Sequence, residues 1–177
     1  MRPGQWSRFG FLGPKESLEE VIAHDKHTLE KFGLENYQIA NVIEDILNSA
    51  KNQESILSLD MRIARYAEFP VLGSPDGVPS FSSENLPSLE KGYCVDQFQV
   101  FTILWLGFQD CPWGCKDAKG NFDFLILNRN TGQSFTGPAL IIHMIRSHEF
   151  FEGLESPFRL DPEKAIRVLE IAKLKAG

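Results

Sequence analysis

Phe108-Gln-Asp-Cys111-Pro-Trp-Gly-Cys115, then Phe122-Asp-Phe-Leu-Ile-Leu127, then His143-Met-Ile-Arg-Ser-His148 form the run that sets the architecture. Its middle piece is short, apolar and rich in strand formers, so it reads as a β-strand. The dense stretch Tyr93–Phe108 before it, with Val95, Phe98, Val100, Phe101, Ile103, Trp105 and Leu106, reads as one long central strand. Asp117-Ala-Lys-Gly120 is turn chemistry that brings the two strands together antiparallel. Further on, Ser134 or Thr136 offers a cap and Pro138 a first-turn residue for a helix that continues through His143 and His148 to Gly153. The order is therefore strand, turn, strand, helix, with a Cys pair on the turn and a His pair on the helix. Two thiolates and two imidazoles make a complete tetrahedral donor set for Zn²⁺, so Cys111, Cys115, His143 and His148 are the candidate metal ligands.

The Cys-x3-Cys … His-x4-His pattern over residues 108–153 resembles the ligand pattern of C2H2 zinc fingers. That resemblance implies that all four side chains bind zinc through sulfur and ring nitrogen. Two departures bear on what such a module does. The interval from Cys115 to His143 is more than twice that of a DNA-reading finger. The segment where a finger carries its base-reading residues is Pro138-Ala-Leu-Ile-Ile142, which is apolar and must face inward. The resemblance thus implies finger geometry used as a brace within a larger fold, not as a reader of bases. On an ideal helix, residues five apart point about 140° away from each other. His143 and His148 reach one metal only if the helix tightens, bulges or ends near Ser147, so a deformation between Arg146 and His148 is expected.

Other readings carry less. A zinc-dependent hydrolase would release one ligand, keep an open metal position and use Glu149 or Glu152 as general base. No His-Glu-x-x-His, Gly-rich phosphate loop or Gly-x-Ser-x-Gly element supports it. His24 and His27, at i and i+3, could share a metal but read first as two surface imidazoles. Cys94 reads as a packed thiol. Trp113, between the two Cys, reads as a ring packed over the site to exclude water, with contact to a partner as the alternative. Nucleic acid is a poor partner: the net charge is −6, and Lys116, Lys119, Arg129 and Arg146 are interleaved with Asp110, Asp117, Asp123, Glu149 and Glu152.

The remaining chain fills in an α+β fold. Its 177 residues, 42% of them hydrophobic and 14 of them Phe, are enough to bury one core, so residues 1–177 are expected to form one domain. Residues 1–14 read as an arm pinned by Trp6, Phe9, Phe11 and Leu12. Helical signals begin at Pro14-Lys-Glu-Ser17 and stop at Gly33, with Leu18, Val21, Ile22, Leu29 and Phe32 inside. A second runs from Asn36 to about Ala50 on Ile39, Val42, Ile43, Ile46 and Leu47, and it carries no Arg or Lys in that span. Leu57–Phe69 alternates like a strand, residues 70–92 are a long Pro- and Gly-rich irregular loop, and Asp161-Pro162 opens a C-terminal helix. The sheet is thus expected to have three to four antiparallel strands. The absence of a long apolar run excludes a membrane helix, and a cytoplasmic location is expected. The function that fits is a structural zinc protein working through a protein partner or as a homo-oligomer.

Overall fold

The computed structural model describes residues 1–5, 9–54 and 92–171. The expected strand at Leu57–Phe69, the loop at 70–91, Trp6 and Ala172 lie outside the described residues. Among the described residues the fold is α+β, with four helices and a four-stranded antiparallel sheet.

Helix α1, Leu18–Lys31, begins where Ser17 holds an extended backbone and its hydroxyl accepts the Glu20 N–H. It ends at Phe32, and Gly33 follows with φ 63°. Helix α2, Asn36–Glu54, runs one turn beyond the expected end at Ala50. Its inner stripe of Ile39, Ile43, Ile46, Leu47 and Ala50 is buried, and each large aliphatic contributes roughly 1.5–3 kcal/mol.

The Tyr93–Phe108 stretch is a hairpin rather than one strand. Strand β1, Tyr93–Val95, turns through Asp96 and Gln97 into β2, Phe98–Asp110. Asp96 takes a left-handed conformation with φ 50°. The Arg129 guanidinium ties the turn down by donating to the Asp96 carbonyl, and the Arg129 amide donates to the Gln97 carbonyl. Strand β3, Lys119–Asn128, pairs with β2 from Phe98↔Asn128 to Leu104↔Phe122. After a register shift the pairing resumes at Gln109↔Gly120 and Asp110↔Lys119. Ser134–Pro138 is not a helix start but strand β4, paired along β3. The order in the sheet is β1-β2-β3-β4.

Alternation sorts the sheet into two faces. Val100, Phe124, Ile126 and Phe135 belong to the main core shared with the helices, while Phe101, Leu125 and Leu127 form a smaller buried cluster. Helix α3, Leu140–His148, follows β4 directly. The Ala139 amide donates to the Phe122 carbonyl at 2.8 Å. A Cβ at Gly120 would lie 2.8 Å from the Leu140 backbone nitrogen, so the helix start rests directly against the strand. Helix α4, Pro162–Leu169, begins as its sequence predicts. Asp161 accepts the Lys164 N–H at 2.7 Å, and Ala165, Ile166, Val168 and Leu169 are buried.

The N-terminal arm is pinned. Phe11 and Leu12 are buried, Phe9 packs edge-on against Phe158, and the Gly153 amide donates to the Phe11 carbonyl. Beneath it lies a buried ion pair. Both guanidinium amino groups of Arg159 donate to the Asp25 carboxylate of α1.

Candidate metal centre

Two separate pieces of chain meet at one point. The first is the loop that links β2 to β3. The Cys111 amide donates to the Ala118 carbonyl, and the Cys111 carbonyl accepts from the Gly114 amide at 2.8 Å. Gly114 has φ 76°, a backbone state that a side chain disfavours, and it turns the loop so that Cys115 comes back beside Cys111. The second is α3. It ends at His148, and Glu149 takes a left-handed conformation with φ 55° while its amide donates to the Ile145 carbonyl. The helix therefore ends at His148, next to Ser147 as the His spacing allows and short of the expected end at Gly153.

Helix α2 holds α3 in this position. The Asn36 side-chain amide donates to the carbonyls of Ile145 and Arg146, at 2.6 and 3.4 Å, adding a second donor at Ile145 and reaching an acceptor of the last turn at Arg146. Arg146 donates to both carboxylate oxygens of Glu44 and to the Asn41 side-chain oxygen.

The result is a cluster of four donors. His148 Nε2 lies 3.5 Å from Cys111 Sγ, 3.4 Å from Cys115 Sγ and 3.3 Å from His143 Nε2. The four donor atoms all fall within 4.8 Å of one another. Cys111 is buried and the other three are half-buried. His143 Nδ1, the ring nitrogen facing away from the cluster, is 3.4 Å from the Ser147 hydroxyl. That contact suits an N–H on Nδ1 and leaves Nε2 free to ligate. Burial lowers the pKa of both imidazoles, with Arg146 adding to the effect at His143 and His143 adding to it at His148. Both rings are thereby biased to the neutral form that a metal needs. Burial pushes the Cys115 thiol up, and a hydrogen bond and like charge from Cys111 push it further. Without a cation nearby, two thiolates this close are unfavourable.

Trp113 is stacked on His148, with ring centroids 4.1 Å apart and planes 6° apart, and it meets Phe150 edge-on. It covers the cluster, as the packed reading of this residue expects. Cys94 differs from expectation. It is exposed on β1, with Sγ near the Gln99 side chain and Arg129. His24 contacts Asp25 and His27 lies 4.0 Å from Glu30. The Cys/His cluster is the only group of three or more metal-ligating side chains among the described residues. Neither carboxylate considered for general-base work belongs to it. Glu152 is buried and accepts a hydrogen bond from Ser156, and Glu149 is an exposed helix cap.

Sequence reading missed one neighbour of this site. A cleft of about 450 Å³ opens beside Cys115 and His143, and it draws Lys51 from α2 to Lys116 of the loop and Lys119 at the start of β3. No linear signal joins residues so far apart.

Fold and cluster together define an α+β protein with a Cys₂His₂ group able to hold a metal ion. No protein-family profile, curated protein or solved structure matches the chain, so the functional argument rests on the site itself. Among the described residues no helix is long and apolar enough to cross a membrane.

Proposed function

We propose that Cys111, Cys115, His143 and His148 hold a structural zinc ion, and that this single-domain protein works through protein–protein contacts. The observation that carries the metal assignment is the set of donor distances. A tetrahedral zinc with Zn–S about 2.3 Å and Zn–N about 2.0–2.1 Å sets sulfur and nitrogen about 3.6 Å apart and two nitrogens about 3.3 Å apart. The three distances from His148 Nε2, 3.4–3.5 Å to the sulfurs and 3.3 Å to His143, fit these edges, and all four donors lie within 4.8 Å of one another. The donor set itself favours zinc over hard cations, which prefer oxygen.

Four converging donors support a structural role over a hydrolytic one, because a catalytic zinc keeps one position for water. The positions of Glu149 and Glu152 give the hydrolase reading no base. A role in contacts is supported by Phe108, which is 69% exposed near the end of β2, three residues before Cys111.

Metal analysis of the purified protein, with and without thiol blocking, tests the assignment. About one zinc per chain is expected for a single closed site. Thiol blocking should release it, and neither Cys115→Ser nor His143→Ala should retain it. A folded protein that never contains metal, and is indifferent to chelator, would refute the proposal.

A further inference from the structure

We propose that the cleft beside the Cys/His cluster is a docking groove for an acidic segment of a partner protein, one that presents carboxylates on either side of an apolar side chain. This rests on the reading of the molecule as an interaction protein and names the chemistry of its partner. One wall of the groove is α2 from Glu44 to Lys51, about 10 Å of helix. The other is formed by the loop after Cys115 and by His143 and Arg146 of α3. That length matches about three residues of extended chain.

Charge identifies the occupant. The groove is lined by Lys51, Lys116, Lys119 and Arg146 against only Glu44 and Asp117, in a chain whose net charge is −6. Glu44 is already paired with Arg146, and Lys119 has Asp110 at 3.5 Å. Lys51 and Lys116 form no ion pair among the described residues. The Lys51 ammonium instead sits over the Phe122 ring, 4.9 Å from its centre. Phe122, Leu47 and Ile142 supply apolar surface below these cations. A ligand that satisfies both features carries negative charge and a greasy side chain together. The acidic surface elsewhere repels the long phosphate track that a nucleic acid would need.

The test is fluorescence polarisation on the full, zinc-loaded chain. The probe is a fluorescein-labelled hexapeptide of alternating glutamate and leucine, run beside versions with glutamine or lysine in place of glutamate. Saturable binding of the acidic peptide tighter than about 1 mM is expected. It should weaken when salt rises from about 50 to about 300 mM. The Lys51→Glu/Lys116→Glu variant should lose at least about tenfold in affinity, and Lys51→Ala/Lys116→Ala should lose less. Equal binding of the glutamine peptide, or full binding by the charge-reversed variant, overturns the proposal. So does binding of pyrophosphate without binding of the peptide, which would make this a small-phosphate site. Self-association abolished by the same variant, again without peptide binding, would make the occupant a second copy of the chain and equally overturn it. Metal content measured on the same samples keeps the two readings apart. Peptide binding without metal sinks only the zinc assignment, and metal without peptide binding sinks only the groove.

Discussion

Replacing Trp113 by Ala should speed the loss of metal without abolishing its binding. Trp113 gives no donor atom, yet its ring lies flat on His148 at 4.1 Å and its edge meets Phe150. For metal to leave, His148 must rotate off it, and that rotation breaks the stack while the contact with Phe150 is kept. An aromatic pair of this kind contributes about 0.5–1.5 kcal/mol beyond the area it buries. If the stack is lost in the transition state for release, dissociation accelerates between about twofold and about tenfold. Trp113→Leu keeps apolar cover but not the flat face, so it should fall on the fast side. Trp113→Phe keeps a ring and should fall between. The assay is transfer of zinc to an excess of a chromophoric chelator in stopped flow, with circular dichroism confirming an unchanged fold. The reasoning fails if Trp113→Ala releases metal at the parental rate, or if Trp113→Leu is as slow as the parent. The first would make the ring a bystander, and the second would reduce it to exclusion of water.

Three further outcomes follow from the same structure. Asp25 is fully buried and Arg159 nearly so, at 0% and 8% side-chain exposure; Asp25→Ala should therefore cost about 3–5 kcal/mol in urea unfolding, and the Asp25→Leu/Arg159→Met pair should cost less than either single truncation. Burial raises the Glu152 carboxyl to about 8, with Asp123 adding to the rise and the Ser156 and Arg159 contacts opposing it. The folded state then binds a proton that the unfolded state releases, so this group's contribution is fully present below about pH 4.5 and is lost as pH rises toward about 8; Glu152→Gln should flatten the fall in stability across that window, by about 3 kcal/mol at pH 7, and an unchanged pH profile would contradict the assignment. Gly120→Ala should destabilise by about 1–3 kcal/mol, because its methyl meets the backbone of Leu140, and a neutral result would show that α3 can back away from β3 freely.

Much of this architecture could be read from the chain. Ser17, Gly33, Asp161 and Pro162 mark helix ends through chemistry that acts within one turn, and the structure places those ends accordingly. The four members of the cluster were visible for the same reason: each pair is close in sequence, and donor type alone restricts what they can do. The His spacing asked for a helix that tightens, bulges or ends near Ser147, and it ends at His148. What sequence misread depends on distant partners. Asp96 and Gln97 lack the glycine or asparagine that usually marks a tight hairpin, and the turn is secured by Arg129, more than thirty positions on. Ser134 to Pro138 carries the residues of a helix cap, but pairing along β3 makes it a strand and moves the helix start to Leu140. Cys94 is exposed on β1 while its neighbour Tyr93 is buried, so strand alternation rather than the apolar character of the thiol sets its exposure.

The two halves of the cluster are separated in the chain by all of β3 and β4. During synthesis the Cys pair therefore leaves the ribosome before the His pair does. For that interval Cys111 and Cys115 are two neighbouring thiols with no imidazoles to complete the site. A cation captured by them alone would be weakly held and easily exchanged, so a metal held by all four would be a late arrival, committed only after the hairpin has closed and α3 has docked on Gly120. Such a site reports completion: it becomes inert to competing thiol chemistry only in a chain that has already assembled its sheet and helix.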